Sequence, residues 1–490
     1  MSKTTQHFDV LIVGAGISGI GAARHLSDQC PDKSFCVLDS LESYGGTWLT
    51  HKYPGIRSDS DMFTFGYRFK PWVDAPIATG EAILKYLGEV ISEAELKDRI
   101  RYQHEVLAAD WCSEKQLWTL SVNNKASGET CHFTTNFLWM CQGYYDHNKG
   151  YVPEWPGVEK FEGKLIHPQH WPEDLNYADK EVIIIGSGAT TATVAPAIAG
   201  DCKHVTVLQR SPTYFFARPN DNALATQLRE LDVEPDLVHD IARKQVLKEQ
   251  FDFIQFCAAY PDVANQELIK GVKAQLNEGF DVGTHFTPRY NAWRQRIAAI
   301  PNGDLFKGIN SGQVTMVTDE IECFTEKGIT LKSGKELTAD IIVSATGFNI
   351  SVFGGIEFSV DNTPVDFGNT VNYRGMMFTG VPNMAWIMGY FRASWTLRVD
   401  LISDFICRML NHMDNNNISE VSVKLPEEDL DKPLRPWGDP EVFNPSYLMR
   451  SMHLLPKRGP GEDWQLSQDY WVEREELPKV DLNNGVFDYK

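Results

Sequence analysis

Asp9-Val10-Leu11-Ile12-Val13-Gly14-Ala15-Gly16-Ile17-Ser18-Gly19 reads as a strand, a tight turn and the opening of a helix. The apolar, β-branched run ends on glycines spaced G-x-G-x-x-G, and a helical pattern follows over residues 17–26. The first glycine permits the turn. The second lets backbone amides approach a pyrophosphate at the positive end of the helix, and the third lets the helix pack close to the strand. A second strand, Phe35-Cys36-Val37-Leu38, ends in Asp39, roughly twenty residues beyond Gly19. A carboxylate there accepts from a ribose 2′-hydroxyl and repels a 2′-phosphate, so this unit suits FAD or NAD and not NADP. A strand-helix-strand unit of this kind implies a parallel sheet.

The same grammar returns at Glu181-Val182-Ile183-Ile184-Ile185, followed by Gly186-Ser187-Gly188-Ala189-Thr190-Thr191 and the strand His204-Val205-Thr206-Val207-Leu208. Thr191 stands where a third glycine belongs, which predicts looser helix-strand packing and weaker NADPH affinity. Gln209-Arg210-Ser211 occupies the place of Asp39 in the first unit, and an arginine there pairs with a 2′-phosphate. One acid-terminated and one arginine-terminated unit point to FAD held permanently and NADPH as electron donor.

The fold class is therefore α/β, with two Rossmann-like dinucleotide-binding domains for FAD and NADPH and a helical insertion in the second. Residues 1–145 and 380–490 are assigned to the FAD-binding domain, 146–221 and 312–379 to the NADPH-binding domain, and 222–311 to the insertion. In the insertion, Leu224, Leu228 and Leu231, then Leu247, Phe251 and Ile254, recur at helical spacing. Met384 to Met388 predicts a returning strand, and Trp395 to Leu410 a long amphipathic helix.

Composition narrows the function. The 490 residues carry 46 basic and 66 acidic side chains, a net charge of -20, which argues against a nucleic-acid partner. The sequence shows no apolar run of membrane-spanning length and no apolar leader, so a cytoplasmic location without a transmembrane segment is expected. Nine cysteines without a C-x-x-C pair fit reduced thiols. His167 and His170 lack a supporting carboxylate or cysteine cluster, so no metal is expected.

Phe161-Glu162-Gly163-Lys164-Leu165-Ile166-His167-Pro168-Gln169-His170-Trp171 resembles the F-x-G-x-x-x-H-x-x-x-W fingerprint of type I Baeyer-Villiger monooxygenases, with all four fixed positions matched. Gly45-Gly46-Thr47-Trp48, residues 53–59 and Ala345-Thr346-Gly347 resemble further segments of that family. Residues 57–61, Arg-Ser-Asp-Ser-Asp, and 301–306, Pro-Asn-Gly-Asp-Leu-Phe, resemble its bacterial ethionamide-activating branch, in which Glu often stands where this chain has Asp39.

The two glycine units and this resemblance give the expected contacts. FAD would meet Gly14, Gly16, Ser18, Gly19, Asp39, Gly46, Thr47, Trp48, Asp59 and Val106. NADP would meet Arg57, Ser58, Gly186, Ser187, Gly188, Ala189, Thr190, Thr191, Gln209, Arg210 and Ser211. The resemblance implies that Arg296 is catalytic, oriented by Asp59, and that Phe161, Gly163, His167 and Trp171 couple domain movement to NADP binding. Arg289 and Arg294 are rivals that spacing does not separate from Arg296.

The implied activity is conversion of small hydrophobic ketones to esters or lactones with O2 and NADPH through a peroxyflavin, alongside sulfide or thioamide oxidation. One alternative is a heteroatom-oxidising flavin monooxygenase that has no use for Arg296, and another is a non-catalytic NADPH-sensing protein. A flavin disulfide reductase is a poorer rival, because it needs a redox-active cysteine pair after the first strand-helix-strand unit and residues 40–60 hold no cysteine. Oligomeric state is not legible.

Overall fold

The computed structural model describes residues 5–490. Gln6–Val13 lies at the heart of a nine-stranded sheet, between Phe35–Leu38 and Glu129–Met140, both parallel to it. Val10, Leu11 and Ile12 are fully buried, as expected of a strand covered on both faces. The sheet then turns antiparallel, Glu129–Met140 pairing with Leu117–Asn124 and that strand with His104–Cys112. Met384–Trp386 returns late in the chain to pair parallel with Glu129–Met140. The helix Trp395–Asn415 packs with Ile17–Gln29 in one core, so the C-terminal part of the chain completes the first domain.

The second sheet has five parallel strands, in the order Val314–Thr318, His204–Gln209, Glu181–Ile185, Ile341–Ser344, Lys164–Ile166. The chain crosses between the two sheets twice. Its crossings, Tyr145–Gly150 and Phe348–Ile350, pair antiparallel and so brace each other.

The stretch assigned to one insertion behaves as three parts. The helices Ala223–Glu230, Pro235–Ala259, Pro261–Lys273 and Val282–Phe286 form its body. Ala298–Pro301 is a strand pairing parallel with Phe215–Arg218, and Asp304–Asn310 buries Leu305, Phe306 and Ile309 in the core of the second nucleotide domain. The short run Ala298 to Ile300 has too few residues to declare its period, which is why a strand there is hard to read.

The insertion lies within the second domain in sequence but packs on both domains, Val272, Val282 and Phe286 joining the core of the second. Val238, Ala242 and Val246 of Pro235–Ala259 join the core of the first domain. Arg243 Nη1 donates to Phe63 O at 2.9 Å and Gly66 O at 3.0 Å, satisfying carbonyls at the end of the short helix Met62–Phe65. Leu231, expected on the buried face, is 75% exposed; the apolar period around it marks only a helix end.

Candidate active site

The carboxyl ends of the first parallel strands open onto a cavity of about 700 Å³, where ligands bind in sheets of this kind. Gly14 holds a φ of +106°, and a Cβ there would lie 2.6 Å from Cys141 O. A Cβ on Gly19 would lie 1.8 Å from Gly14 O, so both positions require glycine. A side chain on Gly16 would project into the narrow gap facing Gly46, whose Cα it would meet at 3.7 Å. Ser18 Oγ accepts from Trp395 Nε1 at 2.8 Å, which ties a wall of the cavity to the turn.

Asp39 ends its strand at the same turn. Its Oδ2 accepts from Ala15 N at 2.5 Å and its Oδ1 from Leu41 N at 2.8 Å. Burial pushes its carboxyl pKa above the usual range despite these bonds, so a further hydroxyl donor would stabilise the carboxylate. Gly46, Thr47 and Trp48 line the cavity from one side and Val106 from another. The bare glycines, the helix N-terminus and a buried acceptor with capacity for a ribose hydroxyl fit a flavin dinucleotide.

Arg296 and Asp59 line the same cavity, with Nη2 and Oδ1 3.6 Å apart. The Asp59 charge is the main cause holding the Arg296 guanidinium above its ordinary pKa. Arg289 and Arg294 are exposed and do not line the cavity, so geometry separates Arg296 from its rivals. The loop carrying Asp59 is pinned on both sides. Arg57 pairs with Asp304, and Asp61 Oδ2 accepts from Arg218 Nη2 at 3.0 Å. Ser58 is buried, its Oγ donating to Ser60 O at 2.8 Å within that loop.

Two tyrosines escaped sequence reading. Tyr144 and Tyr145 line the cavity, Tyr144 Oη donating to Tyr145 Oη at 2.6 Å. Both act on the electrostatics of Arg296, as does Tyr447, whose ring lies 5.9 Å from that of Tyr145. Burial raises the pKa of all three, keeping them protonated. Their only sequence signal is an adjacent pair after Gly143, in a stretch whose Gly, Asn and Pro content marks a crossing.

At the second glycine unit Gly186 has a φ of +139°, and a Cβ there would meet Ala345 O at 2.3 Å. A Cβ on Gly188 would meet nothing within 4 Å. Gly188, Ala189 and Thr190 open the helix Ala189–Ile198 at the surface, and Ser187 Oγ lies 3.1 Å from Thr213 Oγ1. Arg210 and Ser211 are exposed at the strand end, as a 2′-phosphate contact requires.

Two expected NADP contacts are engaged elsewhere. Gln209 is buried, its Nε2 donating to His285 O at 2.8 Å and Thr318 Oγ1 at 2.9 Å, because the last residue of a central strand faces neighbours on both sides. Arg57 binds both oxygens of Asp304 and, at 3.4 Å, Ala192 O.

Residues 74–366 match the family model described as flavin-binding monooxygenase-like, and residues 12–73 match an NAD(P)-binding Rossmann-like domain. The chain is 47% identical over 471 residues to the FAD-containing monooxygenase EthA of Mycolicibacterium smegmatis, covering 96% of this chain and 94% of that protein. It is 44% identical over 486 residues to the probable FAD-binding monooxygenase AlmA of an Acinetobacter species, covering 98% and 96%. The chain belongs to the flavin-binding monooxygenase family.

Two solved structures share the monooxygenase's fold over 99% of its length. A steroid monooxygenase bound to NADP superposes with a TM-score of 0.77 at 21% identity, covering 99% of that chain. An open form of cyclohexanone monooxygenase gives 0.77 at 19%, covering 100%. Among the described residues of the monooxygenase no helix is long and apolar enough to cross a membrane.

In this flavin monooxygenase the segment of residues 161–171 sits against the two crossings. His167 Nε2 lies 3.0 Å from Gly347 O, and its Nδ1 accepts from Gln169 N at 3.2 Å, which makes Nε2 the protonated nitrogen. A Cβ on Gly150 would lie 2.2 Å from the His167 ring. Phe161 packs on Phe324, Gly163 leaves no room beside Asp340 O, and Trp171 packs edge-on to Tyr177. Of the four, His167 touches the crossings, while Phe161, Gly163 and Trp171 contact residues of the second domain.

Proposed function

We propose that this flavin monooxygenase holds FAD along the first cavity, takes NADPH at the second glycine unit, and converts ketones to esters or lactones. Sulfides and thioamides are further substrates of the same cavity. The observation that carries the reading is Arg296, held 3.6 Å from Asp59 in the cavity that also contains the Gly14–Gly19 turn and Asp39.

The Gly14–Gly19 turn and the helix N-terminus would take the pyrophosphate, and Asp39 a ribose hydroxyl. The exposed Arg210 would pair with the 2′-phosphate of NADPH. When bound, the flavin accepts hydride from NADPH and activates O2. The overall reaction consumes ketone, O2, NADPH and a proton; one oxygen atom enters a C–C bond beside the carbonyl and the other leaves as water.

A carbonyl attacked at carbon becomes tetrahedral, and negative charge collects on its oxygen. The Arg296 guanidinium meets that charge and remains protonated throughout, because Asp59 favours its charged form. Asp59 limits its orientation, and the protonated Tyr145 hydroxyl, which accepts from Tyr144 Oη, supplies a further donor at the same end. Oxidation at sulfur develops no such oxyanion and makes no demand on Arg296.

The test is aerobic incubation of the flavin-loaded protein with NADPH or NADH, aliphatic and aryl ketones and a methyl aryl sulfide, with products identified by mass. Ester formation with NADPH preferred is expected. Sulfoxide without ester overturns the ketone reading.

A further inference from the structure

A second cavity, of about 310 Å³, shares a wall with the first. Tyr390 and Ala393 face the first cavity, while Phe391 and Arg392 face the second. The Phe391 ring stands between them, 6.1 Å edge-on from Tyr144 and stacked on Phe443 at 5.1 Å. Phe391, Trp437, Phe443, Leu448 and Trp471 make the second cavity mainly aromatic and apolar.

Its polar groups are unbalanced. Asp439 Oδ1 accepts from Glu441 N at 2.9 Å, and Asp469 Oδ1 from Trp471 N and Val472 N, capping a helix. Arg458 lies within the field of Asp439 and donates from Nε to Pro436 O at 2.7 Å. Among the described residues Arg392 has no such counter-charge. It donates one N–H to Val442 O, and the charge acting on it is a second cation, Arg294. Trp437 is 1% exposed, and its indole N–H has no partner among the described residues. Two donors with unmet capacity, one of them charged, thus lie in the cavity's wall beside its apolar side chains and two carboxylates held by backbone N–H groups, and the charged one favours an anion carried on a hydrocarbon chain.

We propose that the second cavity receives the anionic end of an amphipathic substrate, a long-chain keto acid, whose carboxylate pairs with Arg392 while its ketone reaches the first cavity past Phe391. This rests on the first cavity being the site of oxygen insertion. It adds a specificity determinant that the small-ketone reading lacks.

The test separates binding from turnover. Calorimetry on the flavin-loaded protein with dodecanoate and with 1-dodecanol should show one dodecanoate per chain, bound more tightly than the alcohol. Arg392→Met should weaken dodecanoate about tenfold or more, as expected for a lost charged hydrogen bond, and remove the preference over the alcohol. Trp437→Phe should weaken dodecanoate in the same direction. Equal affinity for acid and alcohol in the unaltered protein, or an undiminished preference in both variants, overturns the proposal. In turnover, 11-oxododecanoate should be favoured over 2-dodecanone, and Arg392→Met should lower that ratio. Arg392-dependent dodecanoate binding with ester from neither ketone would overturn the oxygen-insertion reading alone.

Discussion

The guanidinium of Arg57 grips both oxygens of Asp304, at 2.5 and 3.3 Å, and ties the loop carrying Asp59 to the helix Asp304–Asn310. The two stretches that most resemble the ethionamide-activating branch, residues 57–61 and 301–306, therefore meet in space. Both partners are largely covered, 17% and 31% exposed. Asp304→Ala should cost about 1–2 kcal/mol, between the surface and buried limits for ion pairs, and leave Arg57 partly unpaired. Adding Arg57→Met should then cost little more, and a double-mutant cycle by denaturant unfolding reads the difference.

Arg296→Ala should reduce ester formation about a hundredfold to a thousandfold, as does removal of other oxyanion donors, with NADPH consumption persisting. The uncoupled electrons should appear as hydrogen peroxide. Asp59→Asn should act in the same direction more weakly, because it leaves the guanidinium in place and removes only its charged partner. Product mass and peroxide yield, followed together, check both variants.

The two glycine units were legible because backbone contacts demand glycine at Gly14, Gly19 and Gly186, down to 1.8 Å between a Cβ on Gly19 and Gly14 O. Such local constraints leave a mark in the sequence. Docking of Pro235–Ala259 on the first domain leaves none, since Val238, Ala242 and Val246 would look the same against any core. The same holds for Tyr144 and Tyr145, placed near Arg296 by the crossing between sheets. Arg57 and Gln209 show what residue type leaves out: their types suit a phosphate or an amide contact, and the fold adds partners distant in sequence, Asp304 and His285 O.

Arg210 is exposed at the end of its strand, where it has freedom to meet a 2′-phosphate. Arg210→Gln should weaken NADPH about tenfold or more while leaving NADH nearly unchanged, since only the phosphate is recognised by charge. Steady-state kinetics with the two cofactors measure the ratio. Equal losses for both would mean that Arg210 supports the fold and does not select the cofactor.

The crossings should make the fold acid-sensitive. His51 is buried and stacks on Phe348 at 5.3 Å, and burial together with His147, His167 and His170 pushes its pKa down to about 4. Burial lowers His147 and His167 as well. The unfolded chain protonates these rings near pH 6.5 while the folded chain keeps them neutral. Protons are thus bound preferentially by the unfolded state, and this contribution to stability is intact above about pH 6.5 and lost as pH falls from there toward about 4. His51→Phe retains a ring on Phe348 and removes one titrating group. The fall in melting temperature between pH 6.5 and 5 should be shallower in that variant.

Thr191 stands in place of the third glycine of the second unit and is buried there. The side chain is 2% exposed, and the buried Oγ1 has no hydrogen-bond partner among the described residues. A glycine would remove a packed methyl group and add backbone freedom within a helix, so Thr191→Gly should destabilise by about 1–2 kcal/mol. Alanine keeps the Cβ, raises helix propensity and removes the unpartnered hydroxyl, so Thr191→Ala should be neutral or stabilising. If loose packing at this residue weakens NADPH, Thr191→Gly should bind it more tightly. The burial of Thr191 instead predicts unchanged or weaker binding. Chemical unfolding together with NADPH titration of both variants distinguishes a packed threonine from a misplaced one.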